Sequence, residues 1–320
     1  MLAFVFLRLA PSDPARLIVG EFAPEEAVEA QRRALGLHEN IVVQYYRYMR
    51  DFLTGDWGFS YSTGTPVSSA IEARLPATIE LSLYAFVLAF AAALILALLA
   101  TYRRRPVVDG ALRTVSFIGL GTPPFWLGLL LLVTLSGTGL FPGPEGRLQP
   151  DVAAPPNVTS LYTVDAVLAG QWHTLGDALW HMTLPAITLG LVPFAFLVRL
   201  LRANLLEVAR EPFITFARSK GLSRWTAFRR HALPNAILPT VTAGGLVFAH
   251  LLAGSVLVER VFAWPGVGSL VVGGILQQDF AVVQAFILLG AASYVAMNAV
   301  VDVLYSAIDP RTRGGQGLQG

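Results

Sequence analysis

The chain of 320 residues has no cysteine and few charges. Without cysteine it cannot have a disulfide framework, a thiolate nucleophile or a thiolate metal site. Charged residues make up 14% of the chain, whereas soluble domains contain about 25%. The net charge is only +2, so bulk electrostatics does not indicate a nucleic-acid partner. Because 54% of the residues are hydrophobic, most of the surface must face something other than water.

Five long apolar runs account for this composition. They cover about residues 77–102, 114–136, 179–201, 236–258 and 282–308. An α-helix needs about 20 apolar residues to cross a hydrocarbon layer of ~30 Å, so each run predicts a transmembrane helix. Pro123 and Pro124 lie early in the second run and remove backbone donors, which predicts a kink or break there. The apolar run 1–10 is too short to span and is interpreted as the remnant of a truncated first transmembrane helix.

The distribution of arginine orients the predicted spans. Arginines cluster at 103–113, at 199–230 and at 311–313, and cytoplasmic flanks are the ones enriched in such bases. These positions fall on one side if every span crosses once. Segment 11–76 is then an extracytoplasmic helical segment with two amphipathic surface helices, and 77–310 is the transmembrane domain. Its cytoplasmic loop covers about 204–235, and residues 311–320 form a cytoplasmic tail.

The loop between the third and fourth spans mixes bases with aromatic residues. Pro212 can open a helix, Gly221 can end it in a left-handed conformation, and Ser223 can cap a second helix. We therefore expect two short helices at an angle, with Pro234 and Pro239 interrupting the chain on its return to the membrane. Two other interpretations are an arginine anchor on phospholipid headgroups and a helix-turn-helix DNA reader. The DNA reader would have no domain of its own to pack against.

This loop resembles the EAA loop of ATP-binding-cassette importer permeases. In that signature a glycine is followed nine residues later by Ile-x-Leu-Pro. Here Gly221 is followed after nine residues by His231-Ala232-Leu233-Pro234. The opening Glu-Ala-Ala is replaced by Thr215-Phe216-Ala217, so the glutamate and the isoleucine of the signature are absent.

The rest of the chain is similar to dipeptide, oligopeptide and nickel permeases of these importers. Similar stretches occur in order at 9–15 (Leu-Ala-Pro-Ser-Asp-Pro-Ala), 55–58 (Gly-Asp-Trp-Gly), 74–81, 184–190, 259–268 (Glu-Arg-Val-Phe-Ala-Trp-Pro-Gly-Val-Gly) and 302–311. The resemblance implies an all-α membrane protein with the type I ABC importer permease fold. Five complete transmembrane helices and a truncated first one are expected, in a bacterial or archaeal plasma membrane.

The resemblance also implies a function and a set of partners. Such a permease pairs with a homologous second permease, contacts two cytosolic ATPases and membrane lipid, and receives cargo from an extracytoplasmic solute-binding protein. ATP and magnesium are used by the ATPases, because this chain has no Gly-x4-Gly-Lys-Ser/Thr phosphate loop; the chain itself is not expected to be an enzyme or to bind a cofactor. The cargo stays open between peptides, nickel and another small solute. The residues expected to form the ATPase-coupling loop are Thr215, Phe216, Ala217, Lys220, Gly221, Leu222, Ser223, Leu233 and Pro234.

Other interpretations use different residues. His173, Asp177 and His181 recur every four residues, a spacing that suits a metal site on one helix face. The same histidines, with neighbouring tryptophans, also suit the membrane interface. A secondary transporter or channel acting alone would leave the basic loop without a purpose, and a membrane-embedded hydrolase would need a catalytic pair that the spans do not offer.

Overall fold

The computed structural model describes residues 4–5, 14–20, 22–103 and 106–308. Within these ranges the chain is almost entirely helical, with a single short antiparallel strand pair. Most of the predicted remnant 1–10 and all of the predicted tail 311–320 lie outside the described residues.

The amino-terminal part forms a small helical segment. It contains α1 (Pro14–Val19), α2 (Glu25–Ala34), α3 (Ile41–Leu53), the strands β1 (Phe59–Ser60) and β2 (Thr65–Pro66), and α4 (Val67–Glu72). Both amphipathic helices predicted from the sequence are therefore present, as α2 and α3. In α2 the apolar side buries Val28. In α3 the Asn40 side chain accepts the Val42 N–H at 2.9 Å and caps the first turn.

Four helices are long and apolar enough to cross a membrane, judged from length and composition. They are α5 (Leu75–Arg103), α9 (Trp172–Val208), α12 (Leu233–Gly254) and α15 (Phe280–Ile308). They correspond to the first, third, fourth and fifth predicted spans. The observed α9 has 37 residues, because polar residues at both of its ends continue the helix beyond the apolar run.

The second predicted span is not one continuous helix. It consists of α6 (Pro106–Gly121) and α7 (Pro124–Leu135), which meet at an angle of 110°. The break falls at the two prolines, as predicted, because Pro123 and Pro124 cannot donate to the preceding turn. Counted as one crossing, the bent pair brings the number of spans to five in the described part of the chain.

The centre of the fold is the contact between α5 and α9. One side of α5 carries a buried stripe at four-residue intervals, made of Ala77, Leu81, Ala85, Ala89, Ala93 and Ala97. Small residues let membrane helices approach closely. At Gly190 of α9 a Cβ would lie 3.0 Å from the Ala85 carbonyl oxygen, so the helix backbones meet where no larger residue fits.

The remaining helices are short and lie at the two ends of the bundle. Near the beginning of α5, at the end that the arginine distribution predicts to be the outer side, are α8 (Tyr162–Leu168), α13 (Val256–Val261) and α14 (Val267–Leu276). On the opposite side, between α9 and α12, are α10 (Pro212–Ser219) and α11 (Arg224–Ala227). The ten residues of α14 are apolar but too few to span.

Candidate functional site

The loop between α9 and α12 has a sharply defined corner. Pro212 occupies the first turn of α10, where its missing N–H costs nothing. Gly221 has φ +88°; its N–H donates to the Arg218 carbonyl at 3.0 Å, and the Leu222 N–H donates to the Ala217 carbonyl at 3.4 Å. This is the Schellman arrangement, which needs a left-handed residue that glycine adopts without strain. The predicted helix end at Gly221 is therefore present.

The second helix of the loop begins at a capped residue. The Ser223 side chain accepts the Thr226 N–H at 3.2 Å, which satisfies one of the free donors of the first turn. The chain then runs through α11 and a π-helical turn, Phe228–Ala232, directly into α12. The prediction that Pro234 and Pro239 interrupt the return to the membrane is wrong. Pro234 directly follows the π-helical turn, Pro239 lies inside α12, and the helix continues past both of them.

The underside of the loop is anchored to the spans. Ile214 of α10 and Phe228 of the π-turn are buried in one cluster with Leu201 and Leu205 of α9 and Ala100 of α5. A movement of the loop would therefore also displace α5 and α9, because close-packed side chains transmit strain.

A second anchor fastens α11 to the end of α5. The Arg224 guanidinium donates to the Tyr102 carbonyl oxygen at 3.1 Å and lies 5.3 Å from the centre of the Tyr102 ring. The Trp225 ring meets the Tyr102 ring edge-on at 4.9 Å between centroids. The position of the second loop helix is therefore tied to the first predicted span.

The exposed face of the loop, opposite the face that packs against the spans, carries aromatic and basic groups. Phe216 is 61% exposed, and Phe213 and Trp225 are exposed as well. The Lys220 ammonium lies 4.5 Å from the centre of the Phe216 ring, within the range of a cation–π contact. Large exposed apolar groups beside a base are typical of a surface that binds another protein.

The predicted coupling-loop residues do not all lie on this surface. Thr215, Phe216, Lys220, Gly221, Ser223 and Pro234 are exposed; Leu222 and Leu233 are partly buried, and Ala217 is buried. Ala217 acts instead through its carbonyl, which accepts the corner hydrogen bond from Leu222. The structure thus divides the nine residues into an exposed group and a group that shapes the corner.

A buried carboxylate on the outer side was missed by sequence reasoning. Glu259 of α13 is fully buried. Its Oε1 accepts the hydroxyls of Thr78 and Ser255, each at 2.8 Å, and its Oε2 accepts the Ser269 N–H at 3.0 Å. These donors come from α5, from the end of α12 and from α14, so one side chain holds three elements together.

The glycines around this carboxylate leave no room for side chains. A Cβ on Gly266 would overlap Glu259 Oε2, and a Cβ on Gly268 would lie 2.5 Å from the Val256 Cα. The nearby Trp264 indole N–H donates to the Ala77 carbonyl at 2.9 Å. The signal for this site was present in the sequence as an acid beside an apolar run, followed by two closely spaced glycines.

A second buried acid ties the amino-terminal segment to the last span. Asp279 precedes α15, and its Oδ2 accepts the Ser60 hydroxyl at 2.7 Å, the Ser62 hydroxyl at 2.9 Å and the Ser62 N–H at 3.1 Å. The strand pair is therefore fixed to the outer end of α15.

The residues considered for a metal site are only partly brought together. His181 is buried, and its Nδ1 lies 2.9 Å from the Asp177 carbonyl oxygen and 3.4 Å from Asp177 Oδ1. Its Nε2 lies 4.0 Å from Glu145 Oε2, whereas His173 is exposed. Asp177 also accepts the Gln149 N–H at 2.9 Å. In the described part of the chain, no group of three or more such side chains is arranged to hold a metal ion.

Comparison with known proteins gives these features a context. Residues 93–314 match the family described as the binding-protein-dependent transport system inner membrane component, and residues 1–82 match the amino-terminal part of such membrane components. The chain belongs to this family. It is a multi-pass inner-membrane permease subunit of an ABC importer, as the motifs around Gly221 and Glu259 predicted.

Curated relatives match over nearly the whole length. A probable D,D-dipeptide transport system permease protein of Escherichia coli K12 is 41% identical over 98% of this chain and 93% of its own length. A dipeptide transport system permease protein of Alkalihalophilus pseudofirmus is 34% identical over 98% of this chain and 94% of its own. A di/tripeptide transport system permease protein of Pseudomonas aeruginosa is 38% identical over 98% of this chain and 93% of its own length.

A solved structure supports the fold. The crystal structure of an amino acid ABC transporter with histidines matches 76% of this chain and 94% of its own chain, with a TM-score of 0.51 and 20% identity. At that identity the likeness concerns the fold alone. The all-α type I importer permease fold predicted from the sequence is confirmed.

Proposed function

We propose that this permease moves short peptides inward, together with a second permease, and that the loop at Gly221 couples it to two cytosolic ATPase subunits. The observation that carries the coupling proposal is the exposed aromatic and basic surface of α10 and α11. That surface sits on a body packed against α5 and α9. Exposed aromatic residues next to a base are the groups that most often anchor a protein interface.

The corner at Gly221 sets how this surface is presented. Its left-handed backbone and two hydrogen bonds to α10 define the turn of the chain between α10 and α11. When a partner pulls or pushes on Phe216 and Lys220, the force reaches the spans through Phe228 and through the contacts of Arg224. The loop helices act as a lever between the partner and the transmembrane helices.

ATP would drive this lever by binding one conformation of the assembly better than the other. A ligand shifts a conformational equilibrium only by its difference in affinity for the two states. Closure of the ATPases on ATP would move the loops and open the pathway outward, and hydrolysis would reverse the movement. ATP and magnesium would be bound by those partners, since this chain has no phosphate-binding loop.

The cargo proposal is supported by the relatives. The permeases that match over nearly the full chain carry names of D,D-dipeptide, dipeptide and di/tripeptide systems. An extracytoplasmic solute-binding protein would deliver the peptide to the outer side, where Glu259 and Asp279 hold the surface elements in place.

The partners can be tested by purification. The tagged chain is extracted from its own membranes in mild detergent, and co-purifying proteins are identified by mass spectrometry. We expect a homologous permease and ATPase subunits. Phe216→Ala with Lys220→Ala is expected to lose the ATPases and to retain the second permease. Trp172→Ala, which removes an exposed aromatic ring on the outer side, is the matched control. Recovery of the chain alone, or of the ATPases with both variants, would contradict the proposal.

The cargo can be tested separately. Proteoliposomes with the complete transporter and its binding protein are given labelled dialanine, with unlabelled dipeptides, free alanine or nickel ions as competitors. Competition by dipeptides alone is expected. Competition by nickel alone would overturn the peptide assignment and leave the coupling proposal standing.

A further inference from the structure

A cavity of about 650 Å³ lies between α6 and α9. Neither Glu259 and its hydrogen-bond partners nor the coupling-loop residues line it. Its walls carry three arginines, Arg113 on α6 and Arg199 and Arg202 on α9, together with Ser116 of α6. These positions are close to the arginine-rich ends that mark the cytoplasmic side of the membrane.

The charge of the cavity is one-sided. Among the described residues that line it, none is acidic. Arg113 and Arg199 are exposed and Arg202 is partly buried. Guanidinium groups bind phosphate oxygens through paired N–H donors, and they are favoured wherever phosphate is recognised. The lining therefore suits an oxyanion with several acceptor oxygens.

A buried hydroxyl points to the same chemistry. Ser116 is only 3% exposed, and its Oγ has no hydrogen-bond partner within the described structure. A buried polar atom without a partner costs free energy and is rare in native proteins. A serine inside a helix normally bonds a carbonyl of the preceding turn. Ser116 is one of the residues that line the cavity, and its hydroxyl is a lining donor that still lacks an acceptor among the described residues.

The remaining walls are apolar. Phe117 is 82% exposed and Leu120 is 45% exposed, and both line the cavity beside Leu206 and Val198. A free inorganic anion has no apolar part that could pack against this surface. A molecule with a phosphate at one end and hydrocarbon at the other would fill both parts.

We propose that the cavity between α6 and α9 binds an anionic phospholipid, with its phosphate at Arg113, Arg199 and Ser116 and its acyl chains along Phe117 and Leu120. Basic pockets between transmembrane helices on the cytoplasmic side are suited to such headgroups. The lipid bridges α6 and α9 on the cytoplasmic side of the break at Pro123.

The proposal can be tested on the full chain with its co-purifying partners. After a detergent wash, bound phospholipid is measured by mass spectrometry. The complex is then placed in nanodiscs of phosphatidylcholine with or without phosphatidylglycerol, and its thermal midpoint is recorded. We expect phosphatidylglycerol to be enriched in the washed sample and to raise the midpoint.

Variants separate the cavity from general electrostatics. Arg113→Gln with Arg199→Gln is expected to lower phosphatidylglycerol affinity by about a hundredfold, because each of the two lost charged contacts costs about tenfold. Arg113→Lys with Arg199→Lys keeps the charge and should retain most of the lipid. Arg229→Gln with Arg230→Gln removes two exposed loop arginines that do not line the cavity, and should not change retention.

Ser116→Ala provides a separate test of the hydroxyl. It should lower retention by about fivefold, since one hydrogen bond to a charged group is lost. Equal retention by wild type and both glutamine pairs would overturn the proposal. So would a midpoint increase from inorganic phosphate at matched ionic strength as large as that from phosphatidylglycerol, which would assign the site to a free anion. A variant is accepted only if its midpoint in pure phosphatidylcholine equals that of wild type.

Discussion

Replacing Gly221 with proline removes the corner of the coupling loop. The observed φ of +88° is closed to proline, which is restricted to about −65°. The substitution also deletes the N–H that donates to the Arg218 carbonyl at 3.0 Å. Helix α10 can still form, and the buried contacts of Ile214 and Phe228 are not touched. We therefore expect the protein to insert and fold, with the angle between α10 and α11 lost.

The size of the effect follows from these two changes. The lost hydrogen bond contributes about 1 kcal/mol, and an unsuitable backbone at a left-handed position costs a further ~1–2 kcal/mol. A penalty of about 2 kcal/mol lowers the population of the working conformation about 30-fold. Gly221→Ala keeps the N–H and has open space for its Cβ. It still has the left-handed strain of ~1–2 kcal/mol, but alanine can adopt the observed φ whereas proline cannot, so Gly221→Ala should lose less activity than Gly221→Pro.

The assay is ATP-driven uptake by the reconstituted transporter, measured together with ATP hydrolysis. Gly221→Pro should reduce uptake at least tenfold while hydrolysis by the ATPases continues. Gly139→Pro is the matched control, because Gly139 has φ +71°, donates to the Ser136 carbonyl and has nothing near its Cβ position. It lies on the outer side. Normal uptake by Gly221→Pro, or equal losses in both variants, would refute the lever assignment.

Three further outcomes follow from the outer side of the molecule. Gly268→Ala should lower the thermal midpoint strongly, because the new Cβ would lie 2.5 Å from the Val256 Cα. Gly273→Ala is the control and should be neutral, because its Cβ would meet nothing within 4 Å. Similar midpoints for the two variants would contradict this packing. Glu259→Ala removes the acceptor of three hydrogen-bond donors and should cost about 3 kcal/mol or more in stability, with Glu259→Gln less harmful. A neutral alanine variant would show that the carboxylate does not hold α5, α12 and α14 together. Although burial raises the pKa of Asp165, hydrogen bonds from the Thr159 hydroxyl and nearby N–H groups outweigh it and hold the pKa below its usual value. The stability that this carboxylate adds is therefore complete above about pH 4 and lost as pH falls through the lowered pKa. Proteolysis of loop 157–161, which precedes α8, should therefore increase only below pH 4, and a transition near neutral pH would exclude Asp165 as its cause.

The ends of the loop helices could be predicted because they depend on local chemistry. Pro212, Gly221 and Ser223 each act on backbone groups within a few residues, so their roles are visible in a short window. The break at Pro123 was predicted for the same reason. Its angle of 110° was not, because the angle depends on how α6 and α7 pack against other helices.

Long-range polar contacts could not be predicted. Glu259 finds Thr78 across 181 residues, and Asp279 finds Ser60 across 219. No pattern in a single sequence pairs such distant groups. The course of the chain at Pro234 and Pro239 was predicted wrongly for a related reason. Proline marks an interruption locally, but the π-helical turn before Pro234 and the packing of α12 against neighbouring spans allow the helix to continue.

The coupling role of the loop can be tested directly because the chain contains no cysteine. A single Phe216→Cys substitution therefore introduces a unique thiol in this chain at the exposed face of α10, and Val158→Cys introduces one on an exposed outer loop. Each variant is labelled with a benzophenone maleimide in native membranes and irradiated, and cross-linked products are identified by mass spectrometry. We predict a cross-link to an ATPase subunit from position 216 and none from position 158. Cross-linking from position 216 to lipid alone, while the transporter remains active, would contradict it.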